Sequence, residues 1–431
     1  MHMYEGRGTA SVYEKMMQDV ITNGVPNRPR GKPIRELQPV VVDIKDASNN
    51  KFLIIPNRGI NFAFALAEVI WILAGRGDYE FIGFYNKGMK RYLDDTTGLI
   101  DMKEMTTAHD FHGSYGKRIR QYGYMEKSSI GNCDYDKFKY VEKNTAEWNQ
   151  VFLTGYPVDQ LQLAHDKLQE DLQTRQAVVM MWDVKKDNFF KAKDYPCNIA
   201  LIFSQSHGCL NMSVIRRSND IVWGWPYNLI QYTSIQEYMA GWLGLEVGGY
   251  TEFINNLHIY TEEYPELFTF FEDAISKHKS YTLDLSTEGA IRCNGVMNKS
   301  SMDRYLATFF KMEKEMRIKI KPDTHSVILE LYIDRWISEM TAVCASYYWG
   351  DVFKFLLAYH LYKSKHYDFA DGLISRTGVT FQLMAIETFT EMKDALIESN
   401  PLISIDPELH NQYRYLYKGE VCPTRPEKKN R

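Results

Sequence analysis

The chain has 431 residues, 45% hydrophobic and 25% charged, with a formal net charge of -4. Such a composition fits a globular protein of one large domain plus an extension, or of several domains, and excludes a collagen-like, low-complexity or disulfide-stapled chain. The acidic balance argues against a nucleic-acid-binding surface, leaving room for a local basic pocket. Cysteines at 133, 197, 209, 293, 344 and 422 show no CxxC spacing, so neither a metal site nor disulfides are expected and a reducing cytoplasm is. The opening MHMYEGRGTA has no apolar signal core, and the best membrane candidate, 60–74, is short and contains Asn61 and Glu68.

In chain order, Val12, Met16, Met17, Val20 and Ile21 share one helical face over 10–23, closed by Asn23-Gly24. The following VPNRPRGKPIRELQP is so dense in proline that no regular element is expected. Its arginines suit an anion clamp, though a solvated basic loop is the commoner use. VVVDI (40–44) and KFLIIP (51–56) read as strands around a DASNN turn. Residues 61–74 are apolar on all sides, which predicts a buried helix with Glu68 in its middle. A buried carboxylate is costly unless it is bonded or used; the alternative is an acid that reaches solvent. Gly113 to Gly116 reads as a tight loop presenting Tyr115, and 157–173 as an amphipathic helix through Leu161, Leu163, Leu168 and Leu172. Thr174-Arg175-Gln176 then leads into a strand, AVVMMWDV.

The stretch from Asp194 to Tyr260 concentrates the chemistry. Cys197 follows a proline at the start of an apolar strand, and a second strand follows a turn at His207-Gly208. VIRRSND and WGWPYN come next, then a helix over 229–245 with Ile235, Met239 and Trp242 facing the core, then NNLHIY. A thiol, paired arginines, an Asp, an Asn and a His/Tyr pair are the parts needed to bind an anionic nucleotide and attack its base. Singly, each has a blander use: a lone cysteine is more often a small core residue, an arginine pair a solvated one, a histidine structural. Beyond about 270, helical patterns dominate (301–318, 325–346, 350–363 and 381–399), and the tail CPTRPEKKNR is expected to be disordered. The expected architecture is an α/β catalytic body over 1–270, with a mixed sheet and packed helices, followed by a mostly helical extension over 271–431.

Six segments in order resemble thymidylate synthase and its sister, the deoxycytidylate hydroxymethylase: AEVIW (67–71), SYGKRIR (114–120), TRQAVVMMW (174–182), PCN (196–198), RRSNDIVWGWPYN (216–228) and NLHIY (256–260). The resemblance implies the fold of that family and a homodimer with shared active sites. It implies that Cys197 adds to ring carbon 6 of a pyrimidine nucleotide, making carbon 5 a nucleophile toward the one-carbon unit of 5,10-methylenetetrahydrofolate. By the same resemblance Glu68 orders water and relays protons, and Tyr115 lines the site. Arg217 and Ser218 hold the phosphate, as does Arg28 in the early loop, and Arg175 reaches it from the other subunit. Asp220 contacts the folate, beside Gly224, and His258 and Tyr260 hold the sugar hydroxyl.

The resemblance also implies that Asn228 reads the base: an amide there accepts from the ring N–H of uracil and donates to its carbonyl, which favours dUMP over dCMP. For the product, several departures from the synthase pattern matter. Asn198 stands where synthases have His, no Trp pair follows Gly83, Gln176 stands where an arginine is usual, and a helical extension replaces the short apolar tail. Together these favour deoxyuridylate hydroxymethylation, a phage activity serving a modified DNA base, over thymidylate synthesis. An inactive nucleotide-binding or scaffold protein on the same fold is the alternative from another class.

Overall fold

A computed structural model describes residues 1–48, 51–55, 58–94, 110–122, 158–188, 192–277, 283–284, 298–344 and 346–390. Cys133, Cys293, Cys422, the expected helical stretch 391–399 and the tail 422–431 lie outside the described residues.

Strand β1 (His2–Gly6) leads into α1 (Thr9–Asn23), which buries all five residues of the expected face together with Tyr13. The Arg/Pro stretch corrects the sequence expectation, because it forms β2 (Val25–Asn27) and β3 (Ile34–Leu37) around a turn at Pro29–Gly31. Pro26 is tolerated because β2 is the edge of its sheet, where a missing N–H breaks no inner ladder, and Pro33 falls just before β3. β4 (Val40–Ile44) is as expected, whereas β5 is only Leu53–Ile54.

Helix α2 (Phe62–Leu73) buries every residue except Glu68. Each buried Phe, Leu or Ile contributes roughly 1.5–3 kcal/mol, so the partial burial of one carboxylate is offset many times over and its position is fixed. The Asn61 side chain accepts from Phe64 N at 2.9 Å, capping the helix, worth about 1 kcal/mol. Then come α3 (Tyr79–Tyr85), α4 (Tyr115–Arg120) and α5 (Gln160–Glu170). Tyr115 therefore opens a helix, preceded by a turn at His112-Gly113 and by Ser114 at the helix N-cap. In α5 the buried face is Leu161, Ala164, His165 and Leu168. That is the i, i+3, i+4, i+7 set, which leaves Leu163 and Leu172 exposed.

After β6 (Val178–Met180) and the short α6 (Val184–Asp187) come β7 (Asn198–Ser206), β8 (Cys209–Arg216) and β9 (Asn219–Asp220). β7 and β8 form the expected hairpin, with His207 at φ 52° and Gly208 at φ 78° making its turn. Helix α7 (Gly224–Leu243) starts five residues before its expected beginning at Leu229, which draws Asn228 into its first turns. β10 (Glu246–Ile254), β11 (Leu257–Tyr260), α8 (Pro265–Ser276) and β12 (Leu283–Asp284) complete the body.

The main sheet runs β1-β4-β10-β8-β7-β6, with β2-β3-β11-β9 and β12-β5 as smaller sheets. Residues alternate across the main sheet. Tyr4, Val42, Glu252, Val214, Leu201 and Val179 are buried on the side of α7 and α1. On the other face Met3, Phe253 and Val178 are exposed, and Val41, Ile215 and Ile202 are partly covered.

Helices α9 (Lys299–Lys319), α10 (Ser326–Val343), α11 (Tyr347–Lys363), α12 (Tyr367–Ile374) and α13 (Val379–Thr390) follow; α8 and α12 are not among the expected helices, although the buried Leu267, Phe271 and Ala274 of α8 have helical spacing. They rest on the body near α2 and α3. Phe62 N donates to Thr388 Oγ1 at 3.0 Å and Ile60 N to Glu387 Oε1 at 3.2 Å, satisfying amides at the start of α2. Phe84 stacks on His360 at 4.2 Å, and Arg317 donates to Phe81 O at 3.1 Å. Among the described residues no helix is long and apolar enough to cross a membrane.

Candidate active site

Cys197 sits immediately before β7, partly exposed, at the point where that strand meets the end of β8. Arg217 braces this turn. Its backbone N donates to Cys197 O at 2.9 Å, its Nε to Pro196 O at 2.9 Å and its Nη2 to Tyr195 O at 3.2 Å. The guanidinium lies 3.8 Å and the Ser218 hydroxyl 3.9 Å from the Cys197 sulfur. A nucleophile, a cation and a hydroxyl thus converge, which suits attack by sulfur beside a bound anion.

Tyr115 lies against the same cysteine. Burial first, then the nearby charge of Cys197, push its phenol well above the usual range. The Tyr115 helix is tied to the cysteine turn through Asp194, whose carboxylate accepts from Gly113 N at 3.2 Å. A Cβ on Gly113 would come within 2.6 Å of that oxygen, so glycine is required there. Burial raises the pKa of Asp194. Below this sits Arg118, buried, donating through two nitrogens to Asp187 at 2.6 and 2.7 Å and to Met181 O at 2.6 Å. Burial opposes charge on Asp187, but bonds from His112 and Arg118 prevail and hold its carboxyl below the usual range.

Arg216 corrects the idea of a solvated arginine pair, because it is fully buried while its neighbour reaches the site. Arg216 ends β8 on its buried face, and Arg217 lies in the bend that follows. Arg216 donates to Glu252 Oε1 at 2.7 Å and stacks over Tyr232 at 4.9 Å; Trp225 donates to Glu252 Oε2 at 3.0 Å. Burial opposes the arginine's charge, but Glu252 more than restores it. Removing one partner of such a pair costs about 3–5 kcal/mol by leaving the other charge buried alone.

From Arg216 a chain of side chains runs to Glu68. Arg216 Nη1 donates to Asn228 Oδ1 at 2.9 Å, Asn228 Nδ2 to Gln231 Oε1 at 3.1 Å, and Gln231 Nε2 to Glu68 Oε2 at 2.9 Å. Burial pushes the Glu68 carboxyl up to about 8, against the lowering effect of the Gln231 bond. Gln231 was not singled out in the sequence; its signal is its place three residues after Asn228 on one helical face. Asn198, fully buried next to Cys197, donates to Tyr232 Oη.

Asp220 and His258 pair in register between β9 and β11. Asp220 accepts from Val222 N at 2.7 Å and Trp223 N at 3.1 Å, and burial raises its pKa. Burial lowers that of His258, partly countered by Asp220. The His258 and Tyr260 rings meet edge-on at 5.2 Å. Beside Asp220, Trp223 packs on Tyr264 at 5.3 Å, and the Arg58 guanidinium lies over the Trp223 ring at 3.9 Å. This aromatic wall with a buried acid is suited to a flat heterocycle bearing N–H donors. Gly224 has no room for a side chain, since a Cβ would collide with Asn219.

Two predicted residues stand apart. Arg28 is exposed, 3.9 Å from Glu262, in a cleft of about 560 Å³ that Pro26, Arg35 and Phe268 also line and that does not include Cys197. The nearby Arg30, not singled out in the sequence, is the arginine whose charge acts on His258 and Tyr260. Arg175 is exposed in the turn before edge strand β6. Among the described residues no group of three or more His, Cys, Asp or Glu could hold a metal ion.

The chain is 34% identical over 292 residues to a protein of Bacillus phage SP01 named deoxyuridylate hydroxymethyltransferase, covering 67% of the chain and 66% of that relative. A protein of the same name from Pseudomonas phage M6 is 28% identical over 61% of the chain and 62% of the relative. The chain thus spans slightly less than two thirds of the length of these phage relatives. A thymidylate synthase of Bacillus subtilis subsp. natto is 23% identical over 59% of the chain and 80% of its own length. Residues 11–300 match the family described as thymidylate synthase, and the chain belongs to that family.

Proposed function

We propose that the chain transfers a one-carbon unit from 5,10-methylenetetrahydrofolate to carbon 5 of dUMP and releases 5-hydroxymethyl-dUMP. The observation that carries this is the convergence of Cys197, Arg217 and Ser218 next to Arg216, from which a hydrogen-bonded chain runs to Glu68. The names of the two phage relatives point the same way.

In this reading the Cys197 sulfur bonds to ring carbon 6, and the displaced π electrons move onto the carbonyl oxygen at position 4. Asn228 donates to that oxygen and accepts from the ring N–H, so the developing charge meets a fixed dipole. The folate supplies the electrophilic one-carbon unit, and carbon 5 bonds to it. Carbon 5 then loses its proton through water ordered by Glu68, and the electron pair of that C–H bond forms the exocyclic double bond as the carbon–nitrogen bond to the cofactor breaks, releasing tetrahydrofolate. Water adds to the resulting exocyclic methylene, and the electrons return to expel the Cys197 thiolate from carbon 6. Arg217 and Ser218, with Arg28 or Arg30, hold the phosphate, and His258 and Tyr260 the sugar hydroxyl. Asp220 and the Trp223–Tyr264 wall, with Gly224 allowing close approach, face the folate.

The hydroxymethyl product is favoured over methyl because the site departs from the synthase pattern beside the nucleophile and at α3. Asn198 replaces the expected histidine beside the nucleophile. The α3 aromatics Phe84 and Tyr85 stack on His360 and on Tyr359 of the extension. Residues 1–270 are proposed as the catalytic region and 271–431 as an extension that steadies α2 and α3, the whole acting in the cytoplasm. Incubation with dUMP and methylenetetrahydrofolate, followed by mass analysis, is expected to give the hydroxymethyl nucleotide. A methyl product with dihydrofolate would instead make this a thymidylate synthase; no product from dUMP or dCMP would leave a nucleotide-binding or scaffold protein.

The exposed, partly apolar face of the main sheet is proposed as the contact between two copies, which lets Arg175, before the edge strand, serve the partner's site. Light scattering at micromolar concentration is expected to give a dimer, which Phe253→Glu weakens. A wild-type monomer would rule out the shared site.

A further inference from the structure

Asn228 is held from behind by a group that can only donate. A guanidinium has no acceptor, so the Asn228 atom 2.9 Å from Arg216 Nη1 is its oxygen and the amide cannot be drawn the other way round. The other end of the chain is less rigid. Gln231 Nε2 donates to Glu68 Oε2, but a protonated Glu68 can also donate, which would let Gln231 turn over. Asn228 cannot follow that turn without bringing its NH₂ group against the guanidinium. Arg216 is itself immobile: it is fully buried, bonded to Glu252 and to the Tyr250 hydroxyl, and lies over Tyr232.

Once Arg216 and Gln231 are served, Asn228 has one lone pair and one N–H left. Uracil offers an N–H at position 3 and an oxygen at position 4, whereas cytosine offers the reverse order, a lone pair and then an amino group. With the ring placed by Cys197 at carbon 6 and the phosphate by Arg217, a fixed amide complements only one of these bases. The other meets donor against donor and acceptor against acceptor.

We infer that Arg216 is a specificity-determining residue that acts through Asn228, locking its amide so that the site takes uracil nucleotides and rejects cytosine nucleotides. This rests on the nucleotide reading given above. Arg216 touches no base in this arrangement, so it is a positioning residue. Its signature is a changed ratio of affinities, whereas simple destabilisation lowers both affinities together.

The test is calorimetric binding of dUMP and dCMP to the full-length protein and to the double variant Arg216→Met with Glu252→Gln. The variant removes both buried charges together, the unbranched Met fills the vacated slot, and the amide oxygen introduced by Glu252→Gln can still accept from Trp225. The wild type is expected to prefer dUMP, and the folded double variant to lose at least about tenfold of that preference, because mismatched buried polar groups are what discriminate at such a site. If the double variant does not fold, Arg216→Lys keeps a cation for Glu252 but loses the fork, and the preference is expected to fall at least about threefold. An unchanged ratio in either folded variant overturns the role of Arg216, as does a wild type that binds both nucleotides equally. A wild type that binds neither nucleotide overturns the nucleotide reading itself, a result distinguishable from the first two.

Discussion

Cys197→Ala is expected to lower turnover by on the order of 10⁴-fold or more, because the proposed reaction has no route to a nucleophilic carbon 5 without a bond at carbon 6. Nucleotide binding is expected to survive, since Arg217, Ser218, Asn228 and His258 are untouched. The substitution is small and the site half-open, so the fold should be insensitive to it: the Cys197 side chain is partly exposed and its main contacts are through backbone atoms. Steady-state rates with dUMP and folate, alongside a melting curve, separate these effects. Turnover within tenfold of wild type in a folded Cys197→Ala protein would remove the covalent step from the account.

Glu68→Gln is the second large effect. A general acid or base in this position contributes about 10²–10⁴-fold, so kcat/KM is expected to fall by that amount. Glutamine can keep the bond to Gln231 but can neither take up nor release a proton. The pH dependence is equally specific. With its pKa raised to about 8 from an ordinary 4.5, the Glu68 carboxyl of the free protein is protonated below that point and charged above it. The kcat/KM profile of the wild type should therefore bend near pH 8, and the bend should be missing in Glu68→Gln. The sign for stability follows from linkage. A folded pKa above the unfolded one favours the folded state at low pH, and that contribution is lost as pH rises from about 4.5 through 8. Wild type should lose melting temperature relative to Glu68→Gln across that window. Parallel melting curves between pH 5 and 9, or an inflection retained in the variant, would contradict the role given to Glu68.

Much of this was legible in the chain because local signals agreed. The apolar length of 61–74 predicted α2 and its embedded acid, and alternation around His207-Gly208 predicted the hairpin. What was not legible depends on partners far away in sequence. Arg216 looks like half of a solvated pair until β10 brings Glu252 beneath it and α7 brings Asn228 beside it. The alternation of Leu210, Met212 and Val214 along β8 was the available hint that Arg216, next in that series, faces inward. The strands in the Arg/Pro loop were hidden because proline density outweighs their pairing with each other and with the distant β11. The amides that open α2 find Glu387 and Thr388, more than 320 residues away, and no local pattern announces such a contact. Arg30 rather than Arg28 is the arginine whose charge acts on His258, and the turn at Pro29–Gly31 holds it in a left-handed conformation at φ 53°, which side-chain type does not reveal.

The central claim is that Cys197 activates carbon 5 of dUMP, and loss of tritium from that carbon reports it directly. Wild-type protein incubated with dUMP tritiated at carbon 5 and methylenetetrahydrofolate is expected to release tritium to water in step with product, while Cys197→Ala releases none above background. Product formed without release, or equal release by the alanine variant, would contradict the account.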